Sequence, residues 1–283
     1  MQRITLLGAG GKMGVRSARN FQKTRFDVDH VEVSEAGRKR LKDATGIDCV
    51  DGSNALSQAD AVIMAVPDAA IGTVLHGCID RLKPGAAVVM LDAAAPHAGV
   101  LPEREDVTYF VTHPCHPPIN RYEPTREAQE DHFGGIAAPQ AIVCALMQGP
   151  EEHYAKCEEM AKILYAPVMR SHRVTVEQMA LLEPALSETI GATLVTALGE
   201  AIDAAVARGV PREAAYDFMM GHIGIEMAIV FGWLPGGQFS DGALMAIEKA
   251  KKRIFRDDWL DVLEPEEVKQ SVKDICAQGK AAA

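Results

Sequence analysis

Arg3-Ile4-Thr5-Leu6-Leu7-Gly8-Ala9-Gly10-Gly11-Lys12-Met13-Gly14 sets a short aliphatic run directly before a glycine-rich loop, and a helical pattern over residues 15–21 follows. A strand, glycine loop and helix in this order present backbone N–H groups and the positive end of the helix dipole to a diphosphate. Gly8, Gly11 and Gly14 fit a G-x-x-G-x-x-G register, the better of two, while Gly8 and Gly10 open a G-x-G-x-x-G register that lacks its third glycine. The same glycines would serve a tight turn without a ligand. Their place after the first strand favours a dinucleotide cradle made of Gly8, Gly10, Gly11, Lys12, Met13 and Gly14.

Outward from this loop, the chain alternates apolar runs over 28–33, 61–65, 87–91, 107–112 and 141–146 with helical patterns. That alternation builds a parallel sheet covered on both faces. Beyond about residue 150 helical periodicity takes over, across 151–164, 176–208, 211–231 and 241–255. The expectation is an α/β chain: an N-terminal Rossmann doubly wound parallel sheet over residues 1–148, then an all-α C-terminal domain over 149–283 for substrate and dimerisation. Arg208-Gly209-Val210-Pro211 supplies the stop-and-start punctuation of a helical hairpin. The helix before it is apolar on nearly all sides from Leu181 to Val206, so other helices or a second subunit must cover it, and a homodimer is expected.

Composition narrows the function classes. The 283 residues carry a net charge of -10 and no extended basic cluster, which argues against nucleic-acid partners. The most apolar stretch, 179–206, is interrupted by Glu183, Pro184, Glu188 and Glu200, and reads as a covered helix rather than a bilayer span. No leader-like segment opens the chain. Six cysteines without a C-x-x-C pair read as free thiols of a reducing compartment, and the cytoplasm is the expected location.

The second strand ends in Val31-Glu32-Val33-Ser34, about 20 residues past the loop, where a carboxylate binds the adenosine ribose hydroxyls. Glu32, with Ser34 beside it, therefore points to NAD, because a carboxylate there repels a 2′-phosphate. Arg38, Lys39 and Arg40 pull the other way unless they are simply a solvated first turn, the better reading. Pro67 and Asp68 follow the strand at 61–65 and lie where the ribose and nicotinamide sit in such sheets.

Strand 107–112 runs into His113-Pro114-Cys115-His116-Pro117-Pro118, in which prolines fix the backbone and present two imidazoles at the ligand-binding edge of the sheet. Two such groups suit a metal or acid–base work, and a proline-fixed connector is the plainer alternative. Glu183 and Glu188 sit in an apolar helix where an uncompensated carboxylate is costly, and Pro184 leaves their relative direction open. His222 and Glu226 share a helix face and form either a site pair or an ordinary helix-face contact.

Gly8 to Gly14, Ala65-Val66-Pro67-Asp68, Thr112-His113-Pro114-Cys115-His116-Pro117, Leu182-Glu183-Pro184-Ala185-Leu186-Ser187-Glu188, Gly221-His222 and Phe239-Ser240-Asp241-Gly242 together resemble the D-apionate oxidoisomerases. Those are bacterial sugar-acid enzymes with a Rossmann domain and a C-terminal domain of the 6-phosphogluconate dehydrogenase type. The glycine loop also resembles that of dihydrodipicolinate reductases. The oxidoisomerase resemblance implies NAD-dependent oxidation of a branched sugar acid, D-apionate to 3-oxo-isoapionate, coupled to migration of a carbon group between adjacent carbinol and carbonyl carbons. It is similar to ketol-acid reductoisomerase chemistry run oxidatively, which needs a Lewis acid and a base. His116 and Glu183 are then the metal ligands, with His113, His116, Glu188 and His222 as catalytic groups. A histidine ligand tilts the divalent ion from Mg towards Zn or Mn. Two other readings are a metal-independent hydroxy-acid or semialdehyde dehydrogenase with a histidine base, and a nicotinamide-nucleotide sensor without turnover.

Overall fold

Parallel pairing dominates around the central strands Ala61–Met64 and Ala87–Met90, which are apolar throughout and leave no polar face for solvent. In the computed structural model, which describes residues 1–278, β1 (Arg3–Leu7) pairs with β2 (Asp27–Val31) on one side and β3 (Ala61–Met64) on the other. Helix α1 (Lys12–Phe21) links β1 to β2, and α2 (Glu35–Thr45) and α3 (Gly52–Gln58) lead from β2 to β3. After α4 (Asp68–His76) come β4 (Ala87–Met90), the single turn α5 (Ala94–His97) and β5 (Thr108–Pro114). β3 and β4 are buried at every position, as central parallel strands should be.

The seven strands lie in the order β2-β1-β3-β4-β5-β6-β7. After α6 (Arg126–Glu130), β6 (Gln140–Gln148) runs antiparallel to β5, so the sheet is mixed rather than wholly parallel. Helix α7 (Glu152–Leu164) then crosses to β7 (Val168–Arg173), which pairs parallel with β6. The core clusters Ile4, Leu6, Phe21, Leu41, Ile63, Val89, Phe110, Met160, Leu164 and Tyr165.

From Val176 the chain is helical to Val206: α8 (Val176–Ala180), a π-helical segment (Leu181–Ala192) containing Pro184, and α9 (Thr193–Val206). Pro184 has no N–H to donate, and the widened winding carries the helix past it. α10 (Arg212–Val230) and α11 (Asp241–Ile254) follow, and α12 (Pro265–Gln278) closes the described chain.

Two compact units result, one of residues 1–184 with 268 onward, the other of residues 185–267. The expected division at 148/149 thus moves, because α7, β7 and the start of the long helix complete the sheet layer and α12 returns to it. β7 carries Arg170, His172 and Arg173 and lacks an apolar alternation, as an edge strand can, which hid it from the sequence. The helical punctuation at 208–211 is as expected, with Gly209 at φ 97 and α10 starting after Pro211. The second unit leaves much apolar surface open: α10 and α11 bury no residue and α9 buries only Ile202. The 31-residue helical run from Val176 to Val206, which the sequence led us to expect covered, is long and apolar enough to cross a membrane and is largely uncovered within one chain.

Candidate active site

The glycine loop is shaped by close approach. A Cβ on Gly8 would lie 2.3 Å from the Ala65 carbonyl oxygen, on Gly10 2.3 Å from that of Gly37, and on Gly14 2.2 Å from that of Gly8. Gly11 is looser, its nearest neighbour at 3.3 Å. The tight positions are therefore Gly8, Gly10 and Gly14, a mixture of the two registers read from the sequence. Gly11 caps α1 and has no side chain to bond the first-turn amides, which leaves them facing outward for an anion.

Glu32 follows β2, and its Oε2 accepts the Gly10 amide at 3.1 Å. Its Oε1 accepts from the Ser34 amide at 2.9 Å and the Ser34 hydroxyl at 3.0 Å. Burial opposes ionisation of Glu32, but these donors together hold its carboxyl below the usual range. Ser34 thus positions Glu32 and caps α2 through Gly37. Arg38 Nε donates to the Glu32 carbonyl at 2.7 Å and Arg40 Nε to the Gly10 carbonyl at 3.0 Å, so both guanidinium groups brace the motif's backbone, whereas Lys39 pairs with Asp43 on the helix surface. Pro67 caps α4 and Asp68 is its first residue. Asp68 also lines a cavity with His76, Lys273 and Cys276.

At the ends of β4 and β5 the structure assembles a group that the sequence only half disclosed. Asp92, two residues past β4, accepts the Ala94 amide at 2.7 Å. His113, inside β5, lies with Nδ1 2.9 Å from the Leu91 carbonyl and 3.5 Å from Asp92 Oδ2, and with Nε2 3.2 Å from Glu183 Oε2. Donor atoms of Asp92, His113 and Glu183 lie within 4.8 Å of one another. Burial works against a charged His113, but the Glu183 hydrogen bond and the charges of Glu183 and Asp92 outweigh it and raise the imidazole to about 9. Burial also opposes ionisation of Glu183, and His113 and then His116 overcome it, leaving Glu183 below the ordinary range. Asp92 is pushed up, chiefly by burial.

His116 stands beside this group rather than in it. It adopts φ 58, its Nδ1 lies 2.9 Å from the Phe133 carbonyl, and its ring centroid is 6.3 Å from that of His113. The structure gathers Asp92 and His113 with Glu183, and His116, expected to pair with Glu183, lies beside that cluster and acts on Glu183 through its charge. Glu188 is exposed and belongs to the second compact unit. His222 is in that unit too, stacked on Phe218 at 4.0 Å with Nδ1 2.8 Å from its carbonyl, which accounts for it locally.

A cavity of about 260 Å³ joins these parts within the first unit, lined among others by Lys12, Arg16, His113, His116, Phe133 and Glu183. Lys12 Nζ sits 3.4 Å from the Phe133 ring centroid, so its side chain points into this cavity while its backbone stays in the glycine loop. Asp92, Phe133 and Gln140 were not anticipated. Asp92 had a signal, a carboxylate just past an apolar strand at the ligand-binding edge; the other two had none.

Comparison with known proteins fits this geometry. Residues 3–100 match the NAD-binding domain of 6-phosphogluconate dehydrogenase, and residues 121–276 match the C-terminal domain of decarboxylating phosphogluconate dehydrogenase. A D-apionate oxidoisomerase of Rhizobium rhizogenes is 56% identical over 96% of this chain and 98% of its own length. The chain belongs to the D-apionate oxidoisomerase family. A second D-apionate oxidoisomerase, from Cupriavidus necator, is 54% identical over 97% of this chain and 99% of its own. A semialdehyde dehydrogenase NAD-binding protein from Cupriavidus necator, solved in complex with calcium and NAD, superimposes with a TM-score of 0.95 at 54% identity, covering 97% of this chain and 99% of that one. An NADH-preferring ketol-acid reductoisomerase from an uncultured archean shares the fold, with a TM-score of 0.66 at 18% identity over 99% of this chain and 83% of that one. His113 and His116 fall between the two regions shared with phosphogluconate dehydrogenases.

Proposed function

We propose that this chain oxidises D-apionate with NAD and rearranges the carbon skeleton of the product, giving 3-oxo-isoapionate. The observation that carries the reading is the convergence of Asp92, His113 and Glu183 at the same sheet edge as the glycine cradle. NAD fits the cradle: Gly11 leaves the first-turn amides of α1 without a side-chain cap, and Glu32 is fixed beside Gly10 where a ribose would be recognised. Bound there, NAD would accept the hydride of the substrate carbinol.

The residues perform the proton work. His113 is oriented by the Leu91 carbonyl, flanked by Asp92 and paired with Glu183. A hydroxyl placed against Glu183 can give up its proton to that carboxylate as the carbinol is oxidised, and the His113 imidazolium beside it keeps the carboxylate ionised and in place. The same pair can return a proton to oxygen when the carbon group has shifted. His116, with Nδ1 held by Phe133, has Nε2 left to bond a second substrate oxygen. Two carboxylates and an imidazole form a donor set for a divalent cation, and Asp92, His113 and Glu183 are the residues that would hold it, where it would polarise neighbouring oxygens. Mixed oxygen and nitrogen donors suit Zn or Mn, with Mg an alternative.

A metal-independent dehydrogenase is the second reading, supported by the His113–Glu183 pair, which satisfies both groups without a cation. An assay at 340 nm with D-apionate and NAD, with and without chelator and with the product identified by NMR, separates the two. A rearranged 3-oxo acid whose formation is lost on chelation supports the first. An unrearranged ketone formed in a metal-free preparation supports the second.

The open apolar faces of α9, α10 and α11 support assembly as a homodimer. All six cysteines are free thiols, which suits the cytoplasm.

A further inference from the structure

The 260 Å³ cavity holds more positive charge than the proton chemistry needs. Lys12 and Arg16 lie one turn apart on α1, four residues from each other on one face, an arrangement that repels unless an anion answers it. Both rest against Phe133, Lys12 Nζ at 3.4 Å and the Arg16 guanidinium carbon at 5.5 Å from the ring centroid. The ion pairs inside the cavity are those of His113 with Glu183 and Asp92, and neither cation belongs to them. Asp131 exerts some attraction on Arg16, yet its Oδ2 already accepts the amides of Ile136, Ala137 and Ala138.

A second, independent feature marks the cavity as built for a polar ligand. Gln140 lines it and is 1% exposed. Its Nε2 donates to the Tyr165 carbonyl at 2.8 Å, which fixes the orientation of the amide, and its Oε1 is buried without a partner. A buried acceptor left unmatched is destabilising, and a ligand hydroxyl reaching it would remove that penalty.

We infer that this cavity is the subsite for the carboxylate end of a short polyhydroxy acid, with Arg16 as the determinant of acid over neutral polyol, Lys12 assisting, and Gln140 taking a hydroxyl. Guanidinium matches a carboxylate through paired N–H donors, and the anion would lie across the cavity from His113, leaving the adjacent carbinol to the His113–Glu183 pair. The inference rests on the proposed function only for which sugar acid is bound.

Calorimetric titration of the NADH-bound protein tests it, using D-apionate and glycerate, each against the polyol with the same carbon skeleton, for the native chain, Arg16→Gln and Arg16→Lys. Arg16→Gln should weaken both acids at least 10-fold, leave the polyols unchanged and keep NADH affinity within twofold, and Arg16→Lys should recover part of the loss. A thermal melt matching the native chain shows that the variant is folded. Unchanged acid affinity in Arg16→Gln overturns the inference, and so does a parallel loss of NADH affinity, which would give the cation to the cofactor's diphosphate. If the native chain binds glycerate through Arg16 but not D-apionate, the subsite stands and the proposed substrate falls. If neither acid binds better than its polyol, the subsite falls.

Discussion

Glu32 Oε2 accepts the amide of Gly10 at 3.1 Å, so one carboxylate both ends β2 and fixes the loop that follows β1. Replacing Glu32 with Ala should weaken NAD 10- to 100-fold, about 1–3 kcal/mol for lost charge-assisted hydrogen bonds, and weaken NADP much less. Fluorescence titration with both reduced cofactors checks this. Equal losses for the two would mean that Glu32 only braces the loop.

His113→Ala and Glu183→Gln should each lower kcat at least 100-fold, the scale of a lost acid–base group, with NAD affinity unchanged because the glycine loop is on other elements. The double variant should be no worse than the poorer single one, since each group acts through the other. Additive losses would show that the two act separately.

Gly10→Ala and Gly11→Ala distinguish the glycines. The first forces a Cβ to 2.3 Å from a backbone oxygen and should destabilise the fold by about 1–3 kcal/mol. The second meets nothing closer than 3.3 Å and should stay within about 1 kcal/mol of the native chain. Chemical denaturation gives both values.

Asp60 ties down the start of β1. Its Oδ2 accepts the amides of Gln2 at 2.6 Å and Arg3 at 3.0 Å, and its Oδ1 the Lys83 ammonium at 2.5 Å. Burial opposes ionisation, but these donors hold the carboxyl far below its ordinary range. A depressed pKa means that the stabilisation is complete above about pH 4, where the unfolded side chain ionises, and fades as the pH falls toward the folded value. Asp60→Asn should therefore lower the melting temperature at pH 7 and lose most of that difference by pH 2. A gap that stays constant with pH would refute the electrostatic origin.

The uncovered helices of the second unit lead to an assembly prediction. Light scattering at micromolar concentration should report a dimer or a larger oligomer. Val195→Glu on α9, a site 69% exposed within one chain, should shift it toward monomer. A monomeric native chain would leave that apolar surface for some other partner.

The glycine loop, the strand–helix alternation and the long helix were legible because each is written in local periodicity. Glu32 and His113 could be placed because the ends of apolar strands mark the edge where ligands gather. Asp92 escaped because a lone carboxylate beside Ala-Ala-Ala carries no pattern of its own, and only the fold brings it to His113. The direction His116 takes could not be read, because three prolines announce rigidity but not direction, and its left-handed backbone and its contact with the distant Phe133 carbonyl appear only in the fold. β7 is built from Arg, Ser and His at a sheet edge, where position rather than composition makes the strand. The reversal at β6 depends on the long connection after β5, and no residue pattern encodes its direction.

Helix α12 returns to the first unit and buries Val268 and Val272 there. The sheet layer is thus a discontinuous domain, interrupted by residues 185–267 and completed only by a segment late in the sequence. The last piece of the layer's covering therefore lies about 80 residues beyond the rest of that unit in the sequence, so the chain leaves the layer and returns to it. A truncation just before Pro265 would expose the surface that Val268 and Val272 cover and injure the N-terminal unit more than the helical one.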